Sequence, residues 1–371
     1  MADSGDILAQ TGPARRVTMM DVARLAGVSQ SSVSLVLNGM TGARISDATR
    51  QRVIEAAREL GYMLPYFRRN LSHAPGHVIA YVADELSTTV FPAQNIDGAR
   101  DAAWESGFLV STHATRSNPE IEAATIAAVR RIPGLIGVIY ATIFTREVEI
   151  PATLEGVPTV LLNCYTAERA ALSVVPGEVA GGFLATQHLI QHGHRRIGLI
   201  NGEPWMDATT DRLTGYRQAL ATADIAFDPE LVLDGDWLPE SGWQHLHTLM
   251  SRKPRPTAVF CGNDWMAAGA LEAARELGLG VPEDLSLIGY DDQVIAGYTR
   301  PPLSTVVLPN YEMGRKAAEL LIDQAVHGKT PPARMIKIDC PLVVRSSVAP
   351  PRRGASGTHE RSHDDGAPAG S

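Results

Sequence analysis

The sequence predicts an α/β protein in which a small three-helix head precedes a larger body of two doubly wound lobes. Three observations support this prediction. The run 17–39 has the spacing of two short helices joined by a tight turn. From residue 77 onward, short apolar β-rich runs alternate with helical patterns, which is typical of parallel sheets covered by helices. A length of 371 residues is sufficient for a head and two lobes with separate cores.

Thr18 marks the start of the first helix, because its hydroxyl can accept a hydrogen bond from a free amide of the first turn. Asp21 complements the positive end of this helix, and Gly27 ends it because glycine adopts a positive φ without strain. The residues predicted to face inward are Val22, Leu25 and Ala26.

Ser29 is the predicted N-cap of a second helix that runs to about Asn38. Its inward-facing residues are Val33, Val36 and Leu37. Its outward-facing residues are Gln30, Ser31, Ser34 and Leu35. A third helix begins at Ser46 and ends at Gly61. The residues on its inner face are Val53, Ala57 and Leu60.

Three such helices form a helix-turn-helix unit that fits the DNA major groove, but similar helices occur in all-helical domains with no nucleic-acid role. Charge separates the two interpretations. The segment 14–71 holds nine arginines and four acidic residues, a net charge of +5. The whole chain has a net charge of −8, so the residues outside this segment together carry −13. A basic head on an acidic body is expected when only the head must neutralise phosphates.

The alternating pattern of the body predicts two parallel sheets whose strands end at a shared ligand-binding cleft. Seven runs are predicted as strands, namely Val78–Val82, Phe108–Thr112, Gly137–Ala141, Thr159–Asn163, Arg196–Asn201, Ala258–Gly262 and Leu285–Tyr290. No apolar run approaches the roughly eighteen residues that cross a bilayer, and the acidic N-terminus does not have the features of a signal peptide. We therefore expect a cytoplasmic protein.

Metal and catalytic signals are weak. His188, His192 and His194 have a spacing that resembles a metal site, but no acidic or cysteine ligand accompanies them, so no metal and no cofactor is expected. The sequence contains no phosphate-cradling loop, nucleophile elbow or zinc-protease motif, so we expect no enzyme activity. Three widely spaced cysteines are expected to be buried thiols, namely Cys164, Cys261 and Cys340.

The stretch 17–62 resembles the DNA-binding head of the lactose-repressor (LacI/GalR) family, through its Asp-Val-Ala, Ala-Gly-Val-Ser, Val-Leu-Asn-Gly and Glu-Leu-Gly-Tyr runs. The resemblance continues to about residue 347 through the runs 197–200, 211–216, 262–264, 281–284, 289–292 and 301–303. It implies a gene regulator whose effector domain is similar to periplasmic sugar-binding proteins. In that fold three crossings join two α/β lobes, and we expect them near Val175, Val306 and Met335.

The expected organisation is a disordered N-terminal arm (1–16), the head (17–63), a hinge helix or linker (64–76), the effector-binding and dimerisation domain (77–347) and a disordered C-terminal tail (348–371). The tail is rich in Pro, Gly, Ser, Arg and Asp, a composition that cannot build a core. It carries no leucine heptad of the kind that joins some relatives into tetramers, so a homodimer is expected.

The resemblance implies which head residues contact DNA. Gln30 and Ser31 match positions that read bases, and glutamine can bond an adenine edge through two hydrogen bonds. Leu35 replaces an arginine common in relatives, so it contacts a thymine methyl or simply packs inside the head. Leu71 aligns with a leucine that wedges into the minor groove. The full candidate set is Thr18, Ser29, Gln30, Ser31, Ser34, Leu35, Asn38, Ser46, Arg50, Arg69 and Leu71.

For the cleft, the resemblance implies that Arg212 grips ligand hydroxyls or a carboxylate, since its planar fork suits either. Trp237 matches a position that stacks on the ligand in sugar-binding members. Arginines and aspartates at strand ends also form ordinary salt bridges, so each residue alone is open to a structural role. The full candidate set is Phe91, Asn163, Arg212, Trp237, Asn263 and Asp291.

These residues favour a sugar, polyol or nucleoside as effector. Gly177 and Glu178 replace the Asp-Asn pair usual after the first crossing, and Leu308 stands where some relatives have a polar residue, so the ligand can differ from familiar ones. The sequence favours a repressor that binds a pseudo-palindromic operator as a dimer, with the sign of the effector response left open. A solute-binding protein and an enzyme on the same fold are the alternatives, and the basic head and missing export signal count against the former.

Overall fold

The computed structural model describes residues 18–37, 45–60, 77–86, 91–328 and 335–352. The chain forms two compact units, a head within residues 1–75 and a body within residues 76–371. The N-terminal arm and the whole predicted hinge segment 64–76 lie outside the described residues. So do the predicted contacts Asn38, Arg69 and Leu71. Within the described ranges, no helix is long and apolar enough to cross a membrane.

Three helices form the head around a small apolar core. A capping box starts the first helix, because Thr18 Oγ1 accepts from the Asp21 amide at 3.3 Å and Asp21 Oδ2 accepts from the Thr18 amide at 3.0 Å. Gly27 ends this helix in the left-handed region at φ 66°. The helices are α1 (Met19–Ala26), α2 (Gln30–Leu37) and α3 (Asp47–Glu59).

Two expectations for the head are wrong. Leu25 is 48% exposed, because the buried stripe of α1 consists of Met19, Val22, Ala23 and Ala26 at the spacing of one helical face, and Leu25 lies beside it. Ser34 is buried rather than outward-facing. It lies three residues before Leu37, and residues three apart on a helix share a face, so Ser34 lies beside the core-packed Leu37.

The first lobe is built on a six-stranded parallel sheet. Its elements are β1 (Val78–Ala83), α4 (Phe91–Glu105), β2 (Leu109–Ala114), α5 (Pro119–Val129), β3 (Leu135–Glu147), β4 (Thr159–Tyr165), β5 (Ser173–Pro176), α11 (Asn310–His327) and β11 (Met335–Ile338). The strand order is β11-β5-β4-β3-β1-β2. One face of the sheet packs against α4 and α11, and the other packs against α5.

The second lobe is built on a second six-stranded sheet, and apolar clusters cover both of its faces. Its elements are α6 (Glu178–Gln191), β6 (Ile197–Asn201), α7 (Asp207–Thr222), β7 (Val232–Asp234), α8 (Pro239–Ser251), β8 (Ala258–Cys261), α9 (Asp264–Glu276), β9 (Ser286–Asp291), α10 (Val294–Tyr298), β10 (Ser304–Val307) and β12 (Leu342–Val343). The strand order is β12-β10-β9-β8-β6-β7, in which only β12 is antiparallel to its neighbour among the described strands.

The chain passes between the lobes three times, from β5 to α6, from β10 to α11 and from β11 to β12. The predicted crossing points Val175 and Val306 lie in β5 and β10, the strands that precede the first and second crossings. Met335 is the first residue of β11, the strand that precedes the third crossing. All seven predicted strands are present, and β3 alone extends more than two residues beyond its predicted end. The strands that were not predicted, β5, β7, β10, β11 and β12, have two to four residues each.

The start of the predicted disordered tail is placed too early. Within residues 348–352, the backbone oxygen of Ala349 accepts hydrogen bonds from His194 Nε2 at 2.9 Å and Ser286 Oγ at 3.0 Å. Arg352 forms an ion pair with Asp284 at 2.5 Å. The composition is that of a tail, but these residues find polar partners on the second lobe. Residues 353–371 lie outside the described residues.

Candidate nucleic-acid interface and ligand cleft

The hydroxyl residues predicted to contact phosphates begin the three helices of the head. Thr18 caps α1, Ser29 caps α2 by accepting from the Ser32 amide at 3.2 Å, and Ser46 caps α3 by accepting from the Thr49 amide at 3.2 Å. Each cap stabilises the first turn of its helix by accepting a hydrogen bond from a backbone amide. The amides that remain free at helix starts attract phosphate oxygens. The caps therefore have a structural role whether or not their hydroxyls touch DNA.

The exposed side of α2 is small and polar. Ser31 is exposed, Gln30 and Leu35 are half-buried, and Ser34 faces the core. Arg50 is half-buried in the first turn of α3. Among the described candidates, Gln30 and Ser31 are therefore the polar side chains that α2 presents at its N-terminal end, which is the end that reads bases in helix-turn-helix proteins.

Arg212 of α7 is the centre of the cleft residues in the second lobe. Its Nε and Nη2 donate to the two carboxylate oxygens of Glu178 at 2.9 and 2.8 Å, and its Nη1 donates to the Gly262 oxygen. Its Nη2 also lies 3.5 Å from Asp291 Oδ1, and its guanidinium stacks 3.7 Å from the centroid of Tyr290. The Arg212 and Glu178 side chains are both 4% exposed. Arg212 and Asp291, which the resemblance implies for the cleft, thus lie in one buried cluster with Glu178.

Trp237 lies at the same edge, in the left-handed region at φ 68°. Its ring covers Gly202 so closely that a Cβ there would lie 1.8 Å from the indole, and its Nε1 lies 2.9 Å from Met206 Sδ. The Asn263 amide nitrogen donates to the Trp237 oxygen at 2.9 Å, and its Oδ1 caps α9 through the Met266 amide. Trp237 is therefore a fixed platform, and Asn263 supports its backbone.

The ligand-binding candidates from the first lobe, Asn163 and Phe91, are less available to a ligand than those from the second lobe. Asn163, at φ 61°, is buried; its Oδ1 accepts from Thr145 Oγ1 at 2.6 Å and its Nδ2 donates to the Thr142 oxygen at 3.2 Å. These bonds brace the end of β3, where the register shifts against β4. Phe91 is half-buried at the first position of α4. The described contacts do not join Asn163 or Phe91 to Arg212.

Residues that sequence reasoning missed connect the two lobes. The Phe144 and Trp205 rings meet between the lobes, and Tyr165 Oη donates to Asp207 Oδ2 at 2.6 Å. Phe144 and Tyr165 lie near the ends of β3 and β4, and Trp205 and Asp207 follow β6. These positions at strand ends are the signal that could have identified them. Arg146, also from the end of β3, forms an ion pair with Asp84 at 3.0 Å.

Burial raises the pKa of two carboxyl groups in the second lobe. It raises the pKa of Asp291 to about 7 against the opposing effect of Arg212. It raises the pKa of Asp264 to about 8, with the nearby charge of Asp291 acting in the same direction. Asp264 Oδ1 accepts from Thr305 Oγ1 at 2.6 Å and its Oδ2 accepts from the Gln293 amide at 2.7 Å. Both oxygens of Asp264 are therefore already engaged by protein donors.

The histidine cluster forms no metal centre in the described part of the chain, where no group of three or more ligating side chains has suitable geometry. His194 bonds to Thr257 Oγ1 at 2.9 Å and to Ser286 Oγ at 3.0 Å. His188 and His192 contact each other through their rings, 4.5 Å apart. Burial lowers the pKa of His188 and of His194. These residues pack the second lobe.

Two family models match the chain. One describes bacterial regulatory proteins of the lacI family and matches residues 18–64. The other describes a periplasmic binding protein-like domain and matches residues 186–348. The first spans the three helices of the head, and the second lies mainly over the second lobe.

Relatives match along nearly the whole chain. The HTH-type transcriptional repressor CytR of Escherichia coli (strain K12) is 35% identical over 333 residues, covering 89% of this chain and 96% of that protein. A solved structure of the transcriptional regulator CelR with cellobiose is 34% identical, covers 90% of this chain and 100% of its own, and has a TM-score of 0.61. The lac repressor dimer bound to operator and the anti-inducer ONPF is 26% identical with the same coverage and a TM-score of 0.63.

Proposed function

This chain belongs to the lacI family of bacterial regulatory proteins, and on that premise we propose that it is a ligand-responsive repressor that binds operator DNA as a homodimer. One observation carries the proposal: a basic helix-turn-helix head and a two-lobed body with a polar cleft occur in one chain. A solute-binding protein needs the body alone. A regulator must meet DNA, so we place its action in the cytoplasm.

The head supplies DNA affinity and sequence reading by separate means. Arginines and the amides at the capped helix starts attract phosphates, which fixes the position of the head on the duplex. Gln30 and Ser31 on α2 read base edges, and Leu35 beside them adds apolar contact. Asn38, Arg69 and Leu71 remain predicted contacts from the sequence alone.

The cleft supplies the response. Trp237 offers an aromatic platform beside Arg212 and Asp291, an arrangement that suits the apolar face and hydroxyls of a sugar, polyol or nucleoside. A ligand that favours one arrangement of the two lobes changes the spacing of the two heads in a dimer. A coupling of about 1 to 3 kcal/mol changes operator affinity roughly 5- to 150-fold.

An exposed apolar surface on the second lobe is our candidate for part of the dimer interface. It spans the starts of α8 and α9 and the short helix α10, where Trp265 Nε1 donates to Gln293 at 2.8 Å. Large apolar side chains that are 42 to 79% exposed are enriched there, and such patches commonly mark interfaces. They are Leu238, Trp265, Val294 and Tyr298.

The decisive experiment selects duplexes from fragmented DNA of the source genome with the full-length protein, then titrates a selected duplex by gel shift. We expect at least about a hundredfold preference over random competitor, since specific sites are typically 10³-fold or more tighter than non-specific ones. A screen of sugars, polyols and nucleosides by thermal shift then identifies the effector. Equal affinity for all duplexes, with and without these compounds, would refute the proposal.

A matched pair of tryptophan variants tests the cleft. Trp237→Ala removes the platform, whereas Trp243→Ala removes an indole that donates to Glu276 on the same lobe. We expect the first to weaken binding of the effector at least about tenfold and the second to leave it within twofold, because one aromatic contact is worth about 1 kcal/mol beyond its buried area. Equal losses in both variants would place the ligand elsewhere.

A further inference from the structure

Arg212 has little capacity left for a ligand, because the protein itself engages four of its five N–H donors. Glu178 takes two of them through parallel bonds at 2.9 and 2.8 Å, the Gly262 oxygen takes a third, and Asp291 lies 3.5 Å from the fourth. An arginine has five donors in a rigid fork. The fork that could grip a carboxylate or phosphate is therefore already filled by a carboxylate.

The position of Glu178 is fixed by the close approach of two helices. Glu178 is the first residue of α6, where the positive end of the helix favours an acid. A Cβ on Gly182 would lie 2.5 Å from the Arg212 oxygen, and a Cβ on Gly215 would lie 2.2 Å from the Val179 oxygen. Helices α6 and α7 thus touch through their backbones. This close approach places the Glu178 and Arg212 side chains within reach of their two parallel hydrogen bonds.

We propose that Glu178 acts as a built-in substitute for a ligand anion, and that it restricts the cleft to uncharged, hydroxyl-bearing ligands. An anionic ligand on Arg212 would leave the buried Glu178 without its partner, which is strongly unfavourable. It would also approach the carboxyl group of Asp291, 6% exposed in its side chain. Ligand hydroxyls can instead donate to these acceptors, so neutral ligands meet no such penalty. The inference deepens the proposed function and rests on it for the role of the cleft.

The assignment makes Glu178 a specificity residue rather than a stability residue alone. An uncharged side chain at this position would leave the fork of Arg212 open to a ligand anion. The chain offers a comparison in the first lobe, where Arg315 donates from Nη1 and Nη2 to the two carboxylate oxygens of Glu105 at 3.2 and 2.6 Å. That pair is about 20% exposed, so water already competes for it.

The first test is chemical rescue of the full-length protein. Glu178→Ala vacates the fork, and sodium propionate is the probe, with sodium chloride at equal ionic strength as reference. We expect a saturable rise in Tm of at least about 3 °C and an apparent propionate affinity at least tenfold above that of the unmodified protein. The control Glu105→Ala should show no saturable rise. If Glu178→Ala folds only in propionate, the yield of folded protein replaces Tm as the readout.

The second test uses the unmodified protein and matched pairs of probes: glucose with glucuronate, cellobiose with cellobionate, and adenosine with its 5′-monophosphate. We expect each anion to bind at least tenfold more weakly than any neutral partner that binds. An anion that binds as tightly as its partner, or the absence of propionate rescue in Glu178→Ala, would overturn the proposal. Propionate rescue is measured without DNA or effector. Its outcome therefore does not depend on whether the protein binds an operator.

Discussion

The rings of Phe144 and Trp205 meet edge to face, with centroids 5.3 Å apart and planes inclined at 74°, and so join the two lobes. Phe144 belongs to β3 of the first lobe, and Trp205 lies between β6 and α7 of the second. The hydrogen bond from Tyr165 to Asp207 links the same two lobes. The described arrangement of the body is therefore held by side chains of both lobes at the edge where the strands end.

Removal of this ring contact should loosen the connection between the two lobes. An edge-to-face pair contributes about 0.5 to 1.5 kcal/mol beyond buried area, so we expect Trp205→Ala to weaken effector binding about two- to tenfold. Calorimetric titration with the effector measures the loss. The ring of Trp243 contacts His247 in its own lobe, so Trp243→Ala serves as control. Unchanged affinity in Trp205→Ala would show that the ring contact does not stabilise the bound state.

Sequence patterns predicted the architecture because parallel strands and their helices have strong, periodic apolar signals. The same patterns could not rank the polar residues at the strand ends. Asn163 and Asn263 stand at such ends, yet their amides are used to brace β3 and to cap α9. Whether an amide faces a ligand or its own backbone depends on turn geometry, here the left-handed conformation of Asn163. That geometry is not encoded in spacing.

The partner of Arg212 could not be predicted for a similar reason. The resemblance placed Arg212 and Asp291 in the cleft separately, and the structure adds Glu178, at the start of α6, as the main partner of Arg212. The two helices approach closely because Gly182 and Gly215 face the partner backbone. Glycines at these positions look unremarkable in a helical pattern. Only their contact across the helix pair shows that the acid after the first crossing must meet the arginine.

Gln30 should determine base preference without supporting the fold of the head. It begins α2, outside the buried set of the head core. We expect Gln30→Ala to relax the preference at one operator position, at a cost of about 1 to 3 kcal/mol, with unchanged thermal stability. Selection from randomised operator duplexes measures the preference. Gln51→Ala on α3, where the amide donates to Glu55 at 2.9 Å, is the matched control.

The contrasting variant Ser29→Ala removes the N-cap of α2, which contributes about 1 kcal/mol to helix stability. It should lower affinity for all duplexes alike, because the whole helix start becomes less ordered. A loss of preference at a single base in Ser29→Ala, or a uniform loss in Gln30→Ala, would reverse the roles assigned to the two residues.

The buried acids predict that stability falls as pH rises. The pKa of Asp264 is about 8 and that of Asp291 is about 7 in the folded chain, both above the unfolded value of 3.8. The folded state therefore holds more protons between these values, and its stability is greatest below about pH 4 for these groups and declines toward pH 8. Each group contributes a slope of at most about 1.4 kcal/mol per pH unit.

Denaturant unfolding at several pH values between 5 and 8 checks this expectation. Asp264→Asn should flatten the slope, because the amide does not titrate. Asp236→Asn is the control, since the Ser241 hydroxyl lowers the pKa of Asp236 and its contribution is lost only as pH falls below about 4. Parallel curves for Asp264→Asn and the unmodified protein would show that Asp264 does not couple folding to protons in this range.

The segment 348–352 should stabilise the second lobe although its composition resembles a tail. His194 is 1% exposed, and its Nε2 donates to the Ala349 oxygen at 2.9 Å. The Ala349 amide in turn donates to Ser286 Oγ at 3.0 Å. A chain that ends at Ser347 loses these partners and leaves a buried imidazole nitrogen with fewer bonds. At about 1 kcal/mol for each hydrogen bond, we expect a loss of about 2 to 3 kcal/mol.

A pair of truncations isolates this contribution. The chain 1–347 should unfold several degrees below the full-length protein, whereas the chain 1–352 keeps Ala349 and the Arg352–Asp284 ion pair and should unfold at the same temperature. Differential scanning calorimetry measures both. The exposed ion pair adds little by itself, so Arg352→Ala in the chain 1–352 should lower Tm by less than the truncation does. Equal transition temperatures for 1–347 and 1–352 would mean that the buried imidazole finds an equivalent acceptor in water.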